Sequence, residues 1–149
     1  MPAVKPIPKG YHSVTPFLVV QGAAKVIDFL QEAFEARQVE RMDGPGGTVM
    51  HAELTIGDSR VMISDATAEF GPMPSSLYVY VPDTDATYQK ALRAGGASLR
   101  EPTDQFYGDR NAGVRDTAGN MWWIATRKEE VSTEELQRRI AAMRQRAAG

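Results

Sequence analysis

The chain has 149 residues, a net charge of −2, 42% hydrophobic residues and no cysteine, the profile of one globular domain with a real core. The charge argues against general nucleic-acid binding, which needs a basic surface, and the missing cysteines exclude disulfides, thiolate zinc sites and cysteine nucleophiles. The opening MPAVKPIPKGYHS lacks the apolar core of a signal peptide, and no apolar run is long enough to span a bilayer, so the expectation is a soluble, cytoplasmic protein with no membrane partner.

VTPFLVV (14–20) reads as a strand, rich in β-branched and aromatic residues, and Gly22 punctuates it. AAKVIDFLQEAF (23–34) places Val26, Phe29, Leu30 and Phe34 on one helical face. RQVERM is a short strand before the turn cluster DGPGG (43–47). TVMHAELTI and RVMISD flank Gly57-Asp58, an antiparallel hairpin signal. The first half therefore reads β-α-β-β-β. ATAEFGPMPSS (66–76) is a linker, and then the order restarts: LYVYV is a strand, and TDATYQKALRAGG is a helix entered at Asp83 or Thr84 and stopped at Gly95-Gly96. SLREP is a strand, and RNAGVRD and MWWIAT flank the turn TAGN (117–120). The halves overlay at an offset of 61 residues, with Thr15 on Ser76, Ile27 on Tyr88 and Ile63 on Ile124.

The expected organisation is one α+β domain of two β-α-β-β-β modules, 13–65 and 77–127, joined by the linker 66–76 and followed by a C-terminal helix over 132–147. One such module leaves a sheet face uncovered and needs a partner. Two such sheets can enclose a cleft, with the helices outside. In the tail, Ser132 and Glu135 have capping-box spacing, and Leu136, Ile140 and Met143 form a narrow apolar stripe that fits packing on this chain or on a second subunit. Its arginines read as a solvated face.

The paired modules, VIDFLQEAF in the first helix and RDTAGNMWWIA near the end resemble the vicinal oxygen chelate superfamily, which includes glyoxalase I, extradiol dioxygenases and the fosfomycin and bleomycin resistance proteins. VTPFLVV, MHAEL, FYGDR and the EEVSTEEL tail look like its PhnB-like branch. The resemblance runs from about Ser13 to Arg139. It implies a cleft between sheets and, in metal-dependent members, four His, Glu or Gln ligands from the first and last strands of each module. The implied positions here are Thr15, Ile63, Ser76 and Ile124. Two are aliphatic and two are hydroxyls, poor ligands for a divalent ion without imidazole or carboxylate help. The expectation is no metal and no cofactor. The resemblance also implies a homodimer, because paired modules in this superfamily commonly complete their clefts across two chains.

His51 and Glu53 are two apart on one strand and share a face. With Thr55 they are expected to face the cleft, while Met50, Ala52, Leu54 and Ile56 pack on the helices. A carboxylate orienting an imidazole makes a general base, and the competing reading is a satisfied polar pair. Strand parity puts Phe17, Tyr78, Tyr80 and Trp122 in the cleft as ligand-binding aromatics, with Trp123 toward the helix. Tyr107 and Arg110, in FYGDR, are further ligand-binding candidates. Arg110 either grips an anionic group or pairs with Asp109 or Asp116.

Three functions remain open on the sequence. One is a metal-free small-molecule binder of the bleomycin resistance type, holding an aromatic or amphipathic ligand. Another is a lyase, isomerase or dioxygenase-like enzyme using His51 and Glu53. The third is a structural or interaction protein. Fold alone does not choose between them.

Overall fold

The computed structural model describes residues 3–149. The element order is β1 (Phe17–Val20), α1 (Ala23–Phe34), β2 (Arg37–Asp43), β3 (Val49–Ile56), β4 (Ser59–Asp65), β5 (Ser76–Tyr80), α2 (Thr84–Arg93), β6 (Ala97–Asp104), β7 (Asp109–Arg115), β8 (Met121–Arg127) and α3 (Thr133–Ala148). The α+β architecture is thus two four-stranded sheets of order β1-β4-β3-β2 and β5-β8-β7-β6, with a C-terminal helix. In each, the first strand runs parallel to the last and the others are antiparallel.

Local chemistry sets the boundaries. Helix α1 has no cap of its own: Gly22, in the left-handed region, opens it, and the Asp65 carboxylate at the end of β4 accepts from the Gly22 and Ala23 amides at 2.9 and 3.0 Å. The other Asp65 oxygen accepts from the Val49 amide at 2.7 Å, so one carboxylate ties the helix start to two strands. Helix α2 is capped by Asp83 and α3 by Ser132, whose side chains accept from the Ala86 and Glu135 amides.

The predicted face of α1 is buried: Val26, Phe29, Leu30 and Phe34 join Leu18, Leu54, Ile63, Ile124 and Trp122 in one contiguous core. That core crosses the modules, because α1 packs on α2. The helices therefore lie between the sheets, not outside them as the sequence suggested. Within one chain each sheet has a helix-side face in this core and an open face turned away from it. Burying both amphipathic helices against one another serves both modules at once.

Met50 also departs from expectation. Ala52, Leu54 and Ile56 are buried, but Met50 is exposed, because pairing passes from Met42–His51 to Asp43–Val49 and leaves Met50 bulged out. Helix α3 buries no side chain on its own chain. Arg139 ties it to the fold: it donates to the Phe106 carbonyl at 2.9 Å and pairs with Glu129 as well as with Glu135 on the same helix.

Candidate functional site: the open sheet faces

Register assigns every paired strand residue to a side. In the first module, Phe17, Met62 and Glu53 form one row across the open face, with Glu40 beyond them on β2. His51 and Thr55 share that side. His51 Nε2 lies 3.2 Å from Glu53 Oε2, both side chains are partly buried, and the Phe17 ring meets the imidazole edge-on at 6.2 Å. The predicted pair is thus assembled on an open face. Glu40 sits directly opposite Glu53, an unfavourable like-charge juxtaposition. The far end of this face is covered by the N-terminal arm, where Arg60 stacks on Tyr11 and donates to Thr55 Oγ1.

In the second module, Ser76, Tyr78 and Tyr80 on β5 share a side with Met121, Trp123 and Ala125 on β8. Asp109, Asn111 and Gly113 on β7 extend that face, and Arg127 pairs with Asp109. Tyr78 and Tyr80 are 43% and 57% exposed. Parity at the tryptophans is opposite to expectation. Trp122 is the wholly buried one, on the helix side, with its Nε1 donating to Asp116 Oδ2 at 2.8 Å. Trp123 lies on the open face, donates to Ser76 Oγ at 3.0 Å and carries the Arg100 guanidinium 5.5 Å above its ring. Gly113 makes this possible: a Cβ there would sit 2.5 Å from the Trp123 ring. Two adjacent tryptophans point to opposite faces by pleating alone, so only the neighbouring strand identifies which one faces the helices.

Arg110 is likewise on the helix side. It donates to both oxygens of Asp85 at 2.7 and 2.9 Å and to Asp104 at 3.2 Å, and the Asp85 bond, then the Asp104 bond, hold its charge beyond the usual arginine range. Neither Asp109 nor Asp116 is its partner. Tyr107 does reach the open-face cluster.

The cluster is centred on a residue that sequence reasoning missed. Asp109 is only 3% exposed. Its Oδ2 accepts from the Tyr78 and Tyr80 hydroxyls at 2.8 and 2.9 Å. Arg127 Nε stands 3.2 Å from Oδ1, off the line of an aligned hydrogen bond, which makes an ion-pair contact and leaves Oδ1 without a hydrogen-bond donor. Asn111 donates to the Tyr78 and Tyr107 hydroxyls at 3.1 and 2.7 Å and accepts from Gln105 at 3.0 Å. Burial and the bond to Asp109 outweigh the pull of Asn111 and push the Tyr78 hydroxyl above its ordinary range, so it remains a donor. The Asp109 bond, with some burial, does the same to Tyr80. The available signal was the alternation Asp109-Asn111-Gly113 opposite Trp123, which marks the open side of β7.

The metal positions are also reassigned by register. Ile63 and Ile124 are buried on the helix side, and the open-face residues beside them are Met62, Ser64 and Trp123. Ser76 is on the open face, and Thr15 bonds the His12 carbonyl just before β1. A thioether, a hydroxyl and an indole supply neither the imidazole nor the carboxylate that a divalent metal of this kind takes. No group of three or more His, Cys, Asp or Glu side chains comes together among the described residues. The donor set therefore does not fit the superfamily's metal.

No helix of the described chain is long and apolar enough to cross a membrane. An uncharacterized protein of Mycobacterium bovis is 35% identical over 136 residues, covering 84% of this chain and 90% of that one. An uncharacterized protein of Mycobacterium tuberculosis H37Rv is also 35% identical over 136 residues, with 84% and 80% covered. Among solved structures, TioX from Micromonospora sp. ML1 matches with a TM-score of 0.61 at 23% identity, covering 77% of this chain and 99% of that one. TnmS3, described as an antibiotic binding protein from Streptomyces sp. CB03234, matches at 0.62 and 20% identity, covering 78% and 98%. A Bacillus cereus PhnB protein, described as a putative 3-demethylubiquinone-9 3-methyltransferase, matches at 0.60 and 22%, covering 77% and 99%. These likenesses are of fold. The Glyoxalase/Bleomycin resistance protein/Dioxygenase superfamily matches residues 10–124, and this chain belongs to it.

Proposed function

We propose that this protein is a metal-free small-molecule binder of the bleomycin resistance type, acting as a cytoplasmic homodimer, whose ligand is aromatic or amphipathic. The observation that carries this is the open face of the second sheet: Tyr78 and Tyr80 stand exposed around a buried carboxylate that both hydroxyls bond, with half-buried Trp123 beside them. Exposed aromatic walls with a few fixed polar groups are the usual lining of a ligand site. A second copy would turn the two open faces into a closed cleft, setting Phe17, His51 and Glu53 of one protomer opposite the tyrosine cluster of the other. Phe17, 54% exposed, and the exposed Met42 and Tyr80 are apolar surface that such a contact would cover. The antibiotic binding ascribed to TnmS3 supports the same reading by analogy of fold.

A second reading has its own observation. The 3.2 Å contact between His51 and Glu53 orients an imidazole on the first open face, as a metal-free acid–base enzyme would require. Native mass spectrometry, before and after desalting, tests the main reading. The expected result is a particle of twice the 16.3 kDa chain, with no tightly held transition metal and with uptake of small aromatic compounds. A monomer that takes up none of an aromatic panel would overturn it. Turnover abolished by His51→Ala would favour the second reading.

A further inference from the structure

The open face of the second sheet is cationic as well as aromatic. Arg100, Arg115 and Arg127 all fall on it by register, opposite Gly113, Met121 and Asp109 respectively. Asp109 is the one carboxylate among the ladder-paired residues of that face, and it is buried and occupied by two tyrosine hydroxyls. Three arginines against one aspartate give the ladder-paired residues of this face a net positive charge.

Arg127 is the arginine that is held in place. Its Nε sits against Asp109 at 3.2 Å and its Nη1 donates to the Tyr107 carbonyl at 3.0 Å. The side chain is 45% exposed and adjoins the Tyr80 hydroxyl. Two attachments fix the guanidinium plane, and the side chain stays partly open to solvent beside the tyrosines. A planar carboxylate matches such an edge with two parallel hydrogen bonds, which is the geometry arginine supplies and lysine does not. Tyr78 and Tyr80 spend their protons on Asp109, so the donors left to a ligand come mainly from Arg127. On the open face of the first sheet, Glu40 and Glu53 lie directly opposite each other, and Arg60 is engaged by Thr55 and the Tyr11 ring.

We propose that this face binds an aromatic carboxylate, with the Arg127 guanidinium gripping the carboxylate, Tyr78 and Tyr80 flanking the ring, and Asp109 acting as the positioning residue for Arg127. This rests on the small-molecule reading above and adds the charge and shape of the ligand to it. Arg100, parked over Trp123, and Arg115 supply the wider positive field.

The test uses three probes with one ring system: 2-naphthoate, 2-naphthylmethanol and 2-naphthylmethylamine, titrated calorimetrically into the full-length protein. Naphthoate is expected to bind about tenfold tighter than the alcohol, the worth of one charge-assisted contact. Arg127→Gln should erase that preference, bringing the naphthoate and alcohol affinities of the variant level with each other. Asp109→Asn should shrink the preference, whereas a merely structural defect would weaken all three probes together. High salt should reduce the preference in the unaltered protein, a check that needs no variant. Equal or tighter binding of the amine or alcohol, or a preference retained in Arg127→Gln, would overturn the inference and leave the small-molecule reading standing. Binding of none of the three at millimolar concentration would overturn both.

Discussion

The Phe34 ring of the first module lies 5.4 Å, centroid to centroid, from the Trp122 indole of the second. This contact joins the two modules through their helix sides and fixes which of the adjacent tryptophans is structural. Trp122→Ala should cost about 3–5 kcal/mol, the range for deleting a packed aromatic, and it also removes one of the donors to the Asp116 carboxylate. Trp123→Ala should cost on the order of 1 kcal/mol and act on ligand binding instead. Urea unfolding of the two variants measures the difference. Equal losses would show that the face assignment is wrong.

Asp65 makes stability pH-dependent. Burial pushes its carboxyl up, but the amides of Val49, Ala23 and Gly22 pull harder, and its pKa lies below the ordinary 3.8. A carboxyl depressed in the folded state contributes stability that is complete above the unfolded value. That contribution is lost as pH falls below 3.8 through the folded value. Asp65→Asn should therefore be less stable than the parent at neutral pH, and the gap should narrow below about pH 4. Denaturant midpoints across that window read it directly. A gap constant with pH would mean that the carboxylate charge contributes nothing.

His51→Ala should cost on the order of 1 kcal/mol, because both members of the pair are partly exposed and water reaches the orphaned Glu53. Its effect on ligand binding or turnover should be much larger than its effect on folding. A loss of roughly 3 kcal/mol or more would instead mark a sealed pair whose role is architectural.

The apolar stripe of α3 is only partly covered on its own chain: Leu136 and Ile140 are half-buried and Met143 is exposed. Deleting residues 131–149 should weaken the proposed homodimer while leaving both sheets intact. Light scattering across a dilution series compares the truncated and full chains. A full-length particle of 16.3 kDa at micromolar concentration would remove the dimer from the proposal.

A structurally more demanding prediction concerns Asp116. It is buried and accepts from the Ala118 and Asn120 amides, the Asn120 side chain and Trp122 Nε1, so it closes the β7–β8 turn. Asp116→Ala leaves several buried donors unpaired and should destabilise by about 3 kcal/mol or more. Thermal unfolding monitored by near-ultraviolet circular dichroism of the tryptophans is the check.

The local grammar of the chain determined its elements. The apolar face of α1, the caps at Asp83 and Ser132, and the Gly57-Asp58 hairpin depend on residues a few positions apart, whose spacing carries the physics. Alternation along β3 likewise placed His51 and Glu53 together, because i and i+2 always share a side. Tertiary structure decided the rest. Strand periodicity separates two faces but does not say which one meets the helices when both are apolar, as at Trp122 and Trp123; that depended on Gly113, a residue of the neighbouring strand. The same holds for the Asp109 cluster, drawn from β5, β7, β8 and the 105–108 loop, where no single segment shows a pattern. The placement of the helices between the sheets was also beyond local signals, because either face of a β-α-β-β-β module can be closed by its twin. The choice follows from the fit of Phe34 against Trp122 and of α1 against α2, a long-range packing free energy that no short window of sequence contains.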